Sequence, residues 1–367
     1  MILPLPDFEV VREIPPVEIG RRHIILFGGS FDPVHQGHIE MAKAAADQLE
    51  ADEVWFIPAR QAPLKDRALT DGRLRQEMLE IALRMYPDFK VEPVELDREG
   101  ISYTIDTVRE LTKKHPDCAF TFLIGADQLS QFHKWKDVEV LNRLTRFACV
   151  ARDGKLPKTR FKVESVSMDP VPVSSTQIRQ GDRLNYLDPA VLAYCYEHRL
   201  YCKGFVKARV TEHRYLHSLS VASLARDFAE SNGYDGQKAW LAGLFHDVCK
   251  SMSPEKMRPW MEAICPENLD IHPAAWHGFV GSRVVHDVFG IEDPEIREAI
   301  YHHVRGTSEA PIAMCIFCAD KLDPLRGYDS YEMIDLCKKD IRAGFKAEKE
   351  SNRRYVNNQR SDASWSE

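Results

Sequence analysis

A change of period partway along the chain restricts its fold more than any other feature. From residue 23 to about 175, strand-like runs alternate with amphipathic helical stretches. The runs are "HIILF" (23–27), "EVWFIP" (53–58), "FTFLIG" (120–125) and "FACVAR" (147–152), and the helices begin after Gly37, near 71–86 and over 104–114. Strands separated by helix-length crossovers predict a parallel sheet covered by helices. Beyond about residue 208 the strand signal stops, and "HSLSVASLARDFAESNG", "QKAWLAGLFHDVCK", "HGFVGSRVVHDVFG", "DPEIREAIYHHV" and "IAMCIFCADKLDPL" read as successive helices. The chain therefore reads as an α/β domain followed by an all-α helical bundle, and its 367 residues suffice for two cores. The expected boundaries are an extension over 1–21, a first domain over 22–204, a second over 208–345 and a polar tail over 346–367 that frays. Gly204 is expected to end a helix at the seam.

Composition narrows the function. A formal charge of −7 argues against coating nucleic acid or an anionic membrane, although a local group such as Arg60, Lys65 and Arg67 could hold phosphate. No apolar stretch is long enough to span a bilayer and the N-terminal residues form no secretory core, so a cytoplasmic protein is expected. Nine scattered cysteines fit reduced core thiols, and Cys315 and Cys318, the one CxxC pair, lack a second pair to complete a zinc site.

The loop "GGSFDPVHQGH" (28–38) carries more chemistry than a turn needs. It lies between a buried strand and a helix, where open α/β sheets bind ligands and a helix N-terminus offers free N–H groups to phosphate. Gly28 and Gly29 permit close backbone approach, and His35 and His38 can face one phosphate. It is neither a GxGxxG fingerprint nor a GxxxxGK[ST] loop.

This stretch resembles the HxGH signature of the nucleotidyltransferase superfamily. "GISYTIDTVREL" (100–111), "FLIGADQLSQFHKWKD" (122–137) and "VSSTQIRQGD" (173–182) resemble, in order, the further motifs of bacterial nicotinate-mononucleotide adenylyltransferases, over roughly 22–202. The resemblance implies a Rossmann-like fold and transfer of the adenylyl group of ATP, with Mg²⁺, to nicotinate mononucleotide, giving a dinucleotide and pyrophosphate without a protein nucleophile. It also implies roles. His35, His38, Lys65 and Arg179 act in catalysis; Gly28, Gly29, Ser30, Phe31, Gly125, Asp127, Ser174 and Thr176 bind ATP; Thr104, Asp106 and Trp135 hold the pyridine nucleotide. Read as residues alone, Trp135 could equally be core and Thr104 an N-cap. The family's Pro-His-Lys element has Leu64 in place of its histidine. A phosphopantetheine adenylyltransferase is the alternative, but it lacks "YTIDT" and the Trp135 region.

In the second half, "LAGLFHDVCK" sets His246 and Asp247 inside an otherwise apolar helix, where a charge needs a partner. His217, His277, His303 and Asp320 lie on other predicted helices, so a bundle could converge them on one or two cations. His286-Asp287 repeats the dipeptide without such company. "RYLHSLSVA", "AGLFHDVCK", "HGFVG", "AIYHHVRG" and "CADKLDPLR" resemble the HD phosphohydrolase superfamily, specifically the YqeK-like proteins that hydrolyse diadenosine tetraphosphate to ADP. That implies His217, His246, Asp247, His277, His303 and Asp320 as ligands of two transition-metal ions, iron the candidate, with Asp247 shared and Lys250 or Arg326 near phosphate. Val304-Arg305 replaces two threonines of that family, and Asp323 stands where it often has Glu. The leading expectation is a bifunctional enzyme acting on small nucleotides (ATP, nicotinate mononucleotide, a dinucleoside polyphosphate). The alternatives are an adenylyltransferase with a ligand-sensing HD module and a scaffold with relic motifs.

Overall fold

The computed structural model describes residues 20–61, 68–98, 100–151 and 156–363. The first elements are β1 (Arg22–Gly29), α1 (Gln36–Gln48), β2 (Glu53–Pro58), α2 (Gly72–Leu83), β3 (Phe89–Val91) and α3 (Thr104–Lys114). After them come β4 (Cys118–Gly125), α4 (Ala126–Ser130), α5 (Val138–Leu144), β5 (Arg146–Ala151), β6 (Glu164–Ser167) and α6 (Ser175–Arg179). The six strands form one parallel sheet in the order β3-β2-β1-β4-β5-β6.

That order is doubly wound, with its reversal between β1 and β4, and ligands of such sheets gather beyond the strand ends at the reversal. β1 is paired on both sides and its residues 23–27 are buried, as a near-continuous apolar run requires. The one polar member, His23, is satisfied by the Thr121 hydroxyl 2.8 Å away on β4. The edge strands β3 "FKV" and β6 "ESVS" carry no apolar run, so periodicity does not reveal them.

Then follow α7 (Pro189–Glu197), α8 (Cys202–Lys207), α9 (Glu212–Ser231), α10 (Gly236–Phe245) and α11 (Pro254–Ile264). The chain continues as α12 (Trp276–Asp287), α13 (Pro294–His302), α14 (Pro311–Leu322), α15 (Tyr331–Lys339) and α16 (Ile341–Ala363). Starts are written locally: Thr211, Asp235 and Asp293 accept backbone N–H groups of the first turns of α9, α10 and α13, and Pro294 and Pro311 open α13 and α14. In this bundle α9 packs on α10 and α14, α12 on α13, and α13 on α14.

Two compact units result. One comprises the chain through Ile178 with Asn185–Val191; the other comprises Arg179–Leu184 and everything from Leu192 onward. The second unit takes in α8 because Phe205 stacks on Phe289, 6.0 Å between ring centroids, and Tyr196 meets Phe205 and Phe245 edge-on.

One local reading is corrected. Gly204 lies inside α8, where a Cβ would come within 2.3 Å of the Arg179 carbonyl oxygen; close approach, not helix termination, requires glycine. The polar tail begins inside a helix, α16, which runs to Ala363 and whose first turns carry the buried Ile341 and Phe345. The CxxC pair sits in α14 with both thiols buried, as core packing demands.

The close crossing of α10 on α9 gives a prediction. A Cβ on Gly243 of α10 would lie 2.7 Å from the Ala222 Cα of α9, a backbone atom that cannot swing aside. Gly243→Ala should destabilise the helical unit by about 1–3 kcal/mol, as overpacking does, read as a lower denaturation midpoint of its transition.

Candidate nucleotide site and candidate metal centre

At the β1/β4 reversal the structure holds a cavity of about 350 Å³. Of the residues singled out from sequence, Gly28, Gly29, Ser30, Thr104, Asp127 and Trp135 line it. Gly28 and Gly29 are needed for closeness: a Cβ would meet the Phe122 ring at 2.9 Å from the first and the Phe31 ring at 2.8 Å from the second. Gly125 faces open space and precedes α4, on which Asp127 stands. Trp135 is at once core and wall, meeting Phe132 at 5.1 Å and Phe122 at 6.1 Å between centroids. Thr104 is the first residue of α3, whose N-cap is Tyr103, so its hydroxyl is not the cap. Asp106 pairs with Lys136 at 3.5 Å. Lys65 falls outside the described residues.

The two histidines are stacked at 3.8 Å at the start of α1. His38 Nδ1 accepts the His35 backbone N–H at 3.2 Å, which leaves the proton of neutral His38 on Nε2 as a donor. His35 is buried and its Nδ1 has no hydrogen-bond partner; burial pulls its pKa down to about 4. Phe31, in left-handed backbone geometry at φ 43°, packs edge-on against His38 at 5.1 Å. α6 lies alongside: Ser175 Oγ donates to the Pro33 carbonyl at 3.0 Å, and a Cβ on Gly37 would stand 3.2 Å from Val173. Ser174 Oγ accepts the Gln177 N–H, Thr176 lies in the first turn of α6, and Arg179 is its last residue.

Sequence reading missed Arg75. Its buried guanidinium donates to the carbonyls of Thr70, Ser30 and Ala59 at 2.7–2.8 Å, fixing the ends of β1 and β2. One arginine in an amphipathic helix gives no sign of this.

In the helical unit all six expected ligands are buried and converge. Within 4.8 Å of one another lie donor atoms of His217, His246 and Asp320, and likewise of His246, Asp247 and His303. His246 is common to both groups, while Asp247 reaches the Nε2 atoms of His277 at 3.1 Å and of His246 and His303 at 3.7 Å. His246 and Asp247 are not within a helix: α10 ends at Phe245, and the pair occupies the turn beyond it, where side chains of consecutive residues can both face inward.

Each imidazole is anchored through Nδ1. His246, His277 and His303 direct it at the carbonyls of Gly243, Ala274 and Ile300, 2.7–2.8 Å away, and His217 at Asp323 at 2.5 Å. A carbonyl can only accept, so in His246, His277 and His303 Nδ1 bears the proton and Nε2 of the neutral ring presents a lone pair inward, whereas His217 Nε2 faces Asp320 at 3.1 Å. His246 Nε2 is buried without a partner, and the Nε2 atoms of His277 and His303 face each other at 3.1 Å. Two lone pairs at that distance need a proton or a metal ion between them. Mixed imidazole and carboxylate donors with outer-shell anchors fit divalent transition metals.

Burial opposes charge on Asp247 and Asp320, yet the surrounding histidines and, for Asp320, Lys321 and Arg326 hold both well below the usual carboxylate range. Burial alone would lower His217, but Asp320 and Asp323 raise its pKa to about 9, whereas burial drives His246 down to about 4. Lys250 stands 3.5 Å from His277, and Arg326 is 2.6 Å from Asp320. Sequence reading singled out Asp323 only as a departure from the family's Glu, not as the residue that orients His217, and missed Arg214 (3.0 Å from Asp247) and Lys321 (2.7 Å from Asp320).

Fold and sites define a nucleotide-binding α/β unit joined to a helical unit built round a His/Asp cluster. Residues 26–181 match the family described as cytidylyltransferase-like, and residues 214–325 match the HD domain. A "Probable nicotinate-nucleotide adenylyltransferase" of Bacillus pumilus is 41% identical over 186 residues, covering 49% of this chain and 98% of that protein. A "Probable nicotinate-nucleotide adenylyltransferase/Ap4A hydrolase" of Mycoplasma pneumoniae is 28% identical over 333 residues, 88% of this chain and 96% of that one. The chain belongs to the nicotinate-nucleotide adenylyltransferase family and carries an HD domain after the transferase unit.

The buried His35 makes stability depend on pH. An unfolded histidine takes up its proton near pH 6.5 and the folded one only near 4, so the unfolded state binds more protons in between and stability falls as pH drops through that window. Between pH 7.5 and 5, His35→Gln should lose about 2 kcal/mol less than the parent, measured by denaturant titration of the first unit's transition at both pH values.

Proposed function

We propose that the chain joins nicotinate mononucleotide to the adenylyl group of ATP in its first unit and hydrolyses a dinucleoside polyphosphate, diadenosine tetraphosphate to ADP, in its second. The observation that carries the first half is the stacked His35–His38 pair at the start of α1, beside a cavity at the sheet's reversal. A 5′-phosphate oxygen of the mononucleotide attacks the α-phosphorus of Mg²⁺-ATP, the bond from that phosphorus to the bridging oxygen breaks, and pyrophosphate leaves with the electron pair. Such transfer needs alignment and charge neutralisation. His38 donates from Nε2 to an α-phosphate oxygen, neutral His35 and the N–H groups of α1 support it, and Ser174, Thr176 and Arg179 hold the triphosphate. Gly125 and Asp127 take the ribose, while Trp135 and Thr104 wall the pyridine ring.

Lys134 and Lys136 line the same cavity, which favours an acceptor bearing a carboxylate. Nicotinamide mononucleotide should therefore show the lower kcat/KM, and equal values in a coupled pyrophosphate assay would refute the preference. His38→Ala should lower kcat by about 10²–10⁴ with little change in KM for either substrate, because its hydrogen bond strengthens as charge grows.

In the helical unit the carrying observation is the convergence of three Nε2 atoms whose Nδ1 partners are backbone carbonyls, those of His246, His277 and His303, with His217 and two carboxylates. His217, His246, Asp247, His277, His303 and Asp320 would hold two metal ions, iron the candidate. Such ions supply Lewis acidity for a phosphoryl group and a water nucleophile at neutral pH. Asp323 and the backbone carbonyls orient the imidazoles, while Arg214, Lys250, Lys321 and Arg326 provide the cations that meet the polyphosphate. Asp247→Ala should lose both bound metal, by elemental analysis, and tetraphosphate hydrolysis, by chromatography of products, while adenylyl transfer persists. Full hydrolysis without metal would overturn the assignment.

A further inference from the structure

Helix α16 carries a stripe that neither activity uses. Arg342, Lys346, Lys349 and Arg353 recur at spacings of four, three and four and so share one helix face. All four are exposed, and together with Arg305 they line a cleft of about 730 Å³. None of these five cations forms an ion pair with a described carboxylate, although Glu309 and Glu350 lie at the same cleft. Lys349 instead stands over the Phe345 ring at 5.3 Å.

The arrangement does not serve the helix. Like charges three and four residues apart destabilise it. Asp340 accepts the Arg342 and Ala343 N–H groups at its start, and Arg342 beside it is a cation at the end where the helix dipole favours anions. This concentration of unpaired positive charge stands in a chain of net charge −7. Met314 and Phe345, both buried, floor the cleft, so it is a concavity and not a ridge of solvated side chains.

We propose that this cleft binds an oligophosphate chain of three or more linked phosphates. Its volume falls within the usual range of small-ligand sites. From Arg342 to Arg353 the stripe spans roughly 16 Å at ~1.5 Å per residue, longer than one orthophosphate and shorter than a turn of duplex, ~34 Å. Repeated guanidinium and ammonium groups along that length match regularly spaced phosphate oxygens.

Site-resolved lysine acetylation of the full chain, read by mass spectrometry, tests this with inorganic tripolyphosphate, ATP, orthophosphate and single-stranded RNA at matched ionic strength. Tripolyphosphate or ATP should slow acetylation of Lys346 and Lys349 at least fivefold and leave Lys43, exposed on α1, unchanged. Stronger protection by ATP would mark a nucleotide as the source, and stronger protection by tripolyphosphate an inorganic chain. The double variant Arg342→Glu/Arg353→Glu should abolish the protection while kcat of each activity, measured with its own substrates and no added tripolyphosphate, stays unchanged. Equal slowing by orthophosphate, protection by RNA alone, or protection that survives in the double variant would each overturn the proposal.

Discussion

Four buried imidazoles have their Nδ1 atoms committed to oxygen acceptors, and the helical unit is organised around that commitment. His246 and His303 are the C-caps of α10 and α13, and each ring turns back to a carbonyl three residues earlier in the last turn of its own helix. Those terminal carbonyls lack helical partners, so a single hydrogen bond satisfies the helix end and fixes the tautomer of the ring. His277 uses the same three-residue reach at the start of α12. The result is a cluster rich in lone pairs and carboxylates, pressed together by helix packing and needing added positive charge. Arg214, Lys321 and Arg326 answer part of that need from the periphery. The interior, where His277 and His303 oppose each other, lies beyond what those side chains reach in the structure.

The α/β unit solves a different electrostatic problem. Its substrates bring their own negative charge, so the site requires donors and little stored charge. His38 is fixed as a donor by one backbone N–H, His35 is held neutral by burial, and Arg75 spends its guanidinium on three carbonyls that shape the loop. A buried arginine bonded to backbone oxygens holds the β1 and β2 ends in one geometry, a form of preorganisation that costs no reorganisation when substrate arrives.

Much of this was legible in the sequence because it is local. The central strands announce themselves by apolar runs, the caps by Asp, Thr and Pro at helix starts, and His246 with Asp247 by interrupting an apolar helical run. What was not legible depends on partners far along the chain. Asp323 lies 106 residues from the His217 it orients, and Arg214 lies 33 from Asp247. Arg75 reaches a carbonyl 45 residues away. The edge strands β3 and β6 draw their pairing from neighbours and not from their own composition. Placing His246 and Asp247 in a turn beyond α10 required knowing where the helix stops, and no glycine or proline marks that place.

The placement of that turn has a chemical consequence. Successive residues within a helix point about 100° apart, so an inward-facing histidine would carry its neighbouring aspartate toward another element. His246, the C-cap of α10, keeps helical dihedrals, and its Nε2 lies 3.7 Å from one carboxylate oxygen of Asp247 in the turn that follows. Ending the helix there leaves the Gly243 carbonyl available to the His246 ring. Helix termination and tautomer choice therefore meet in one carbonyl, that of Gly243. A substitution that prolonged α10 by a turn would draw that carbonyl into the helical ladder and disturb both, even with His246 and Asp247 retained.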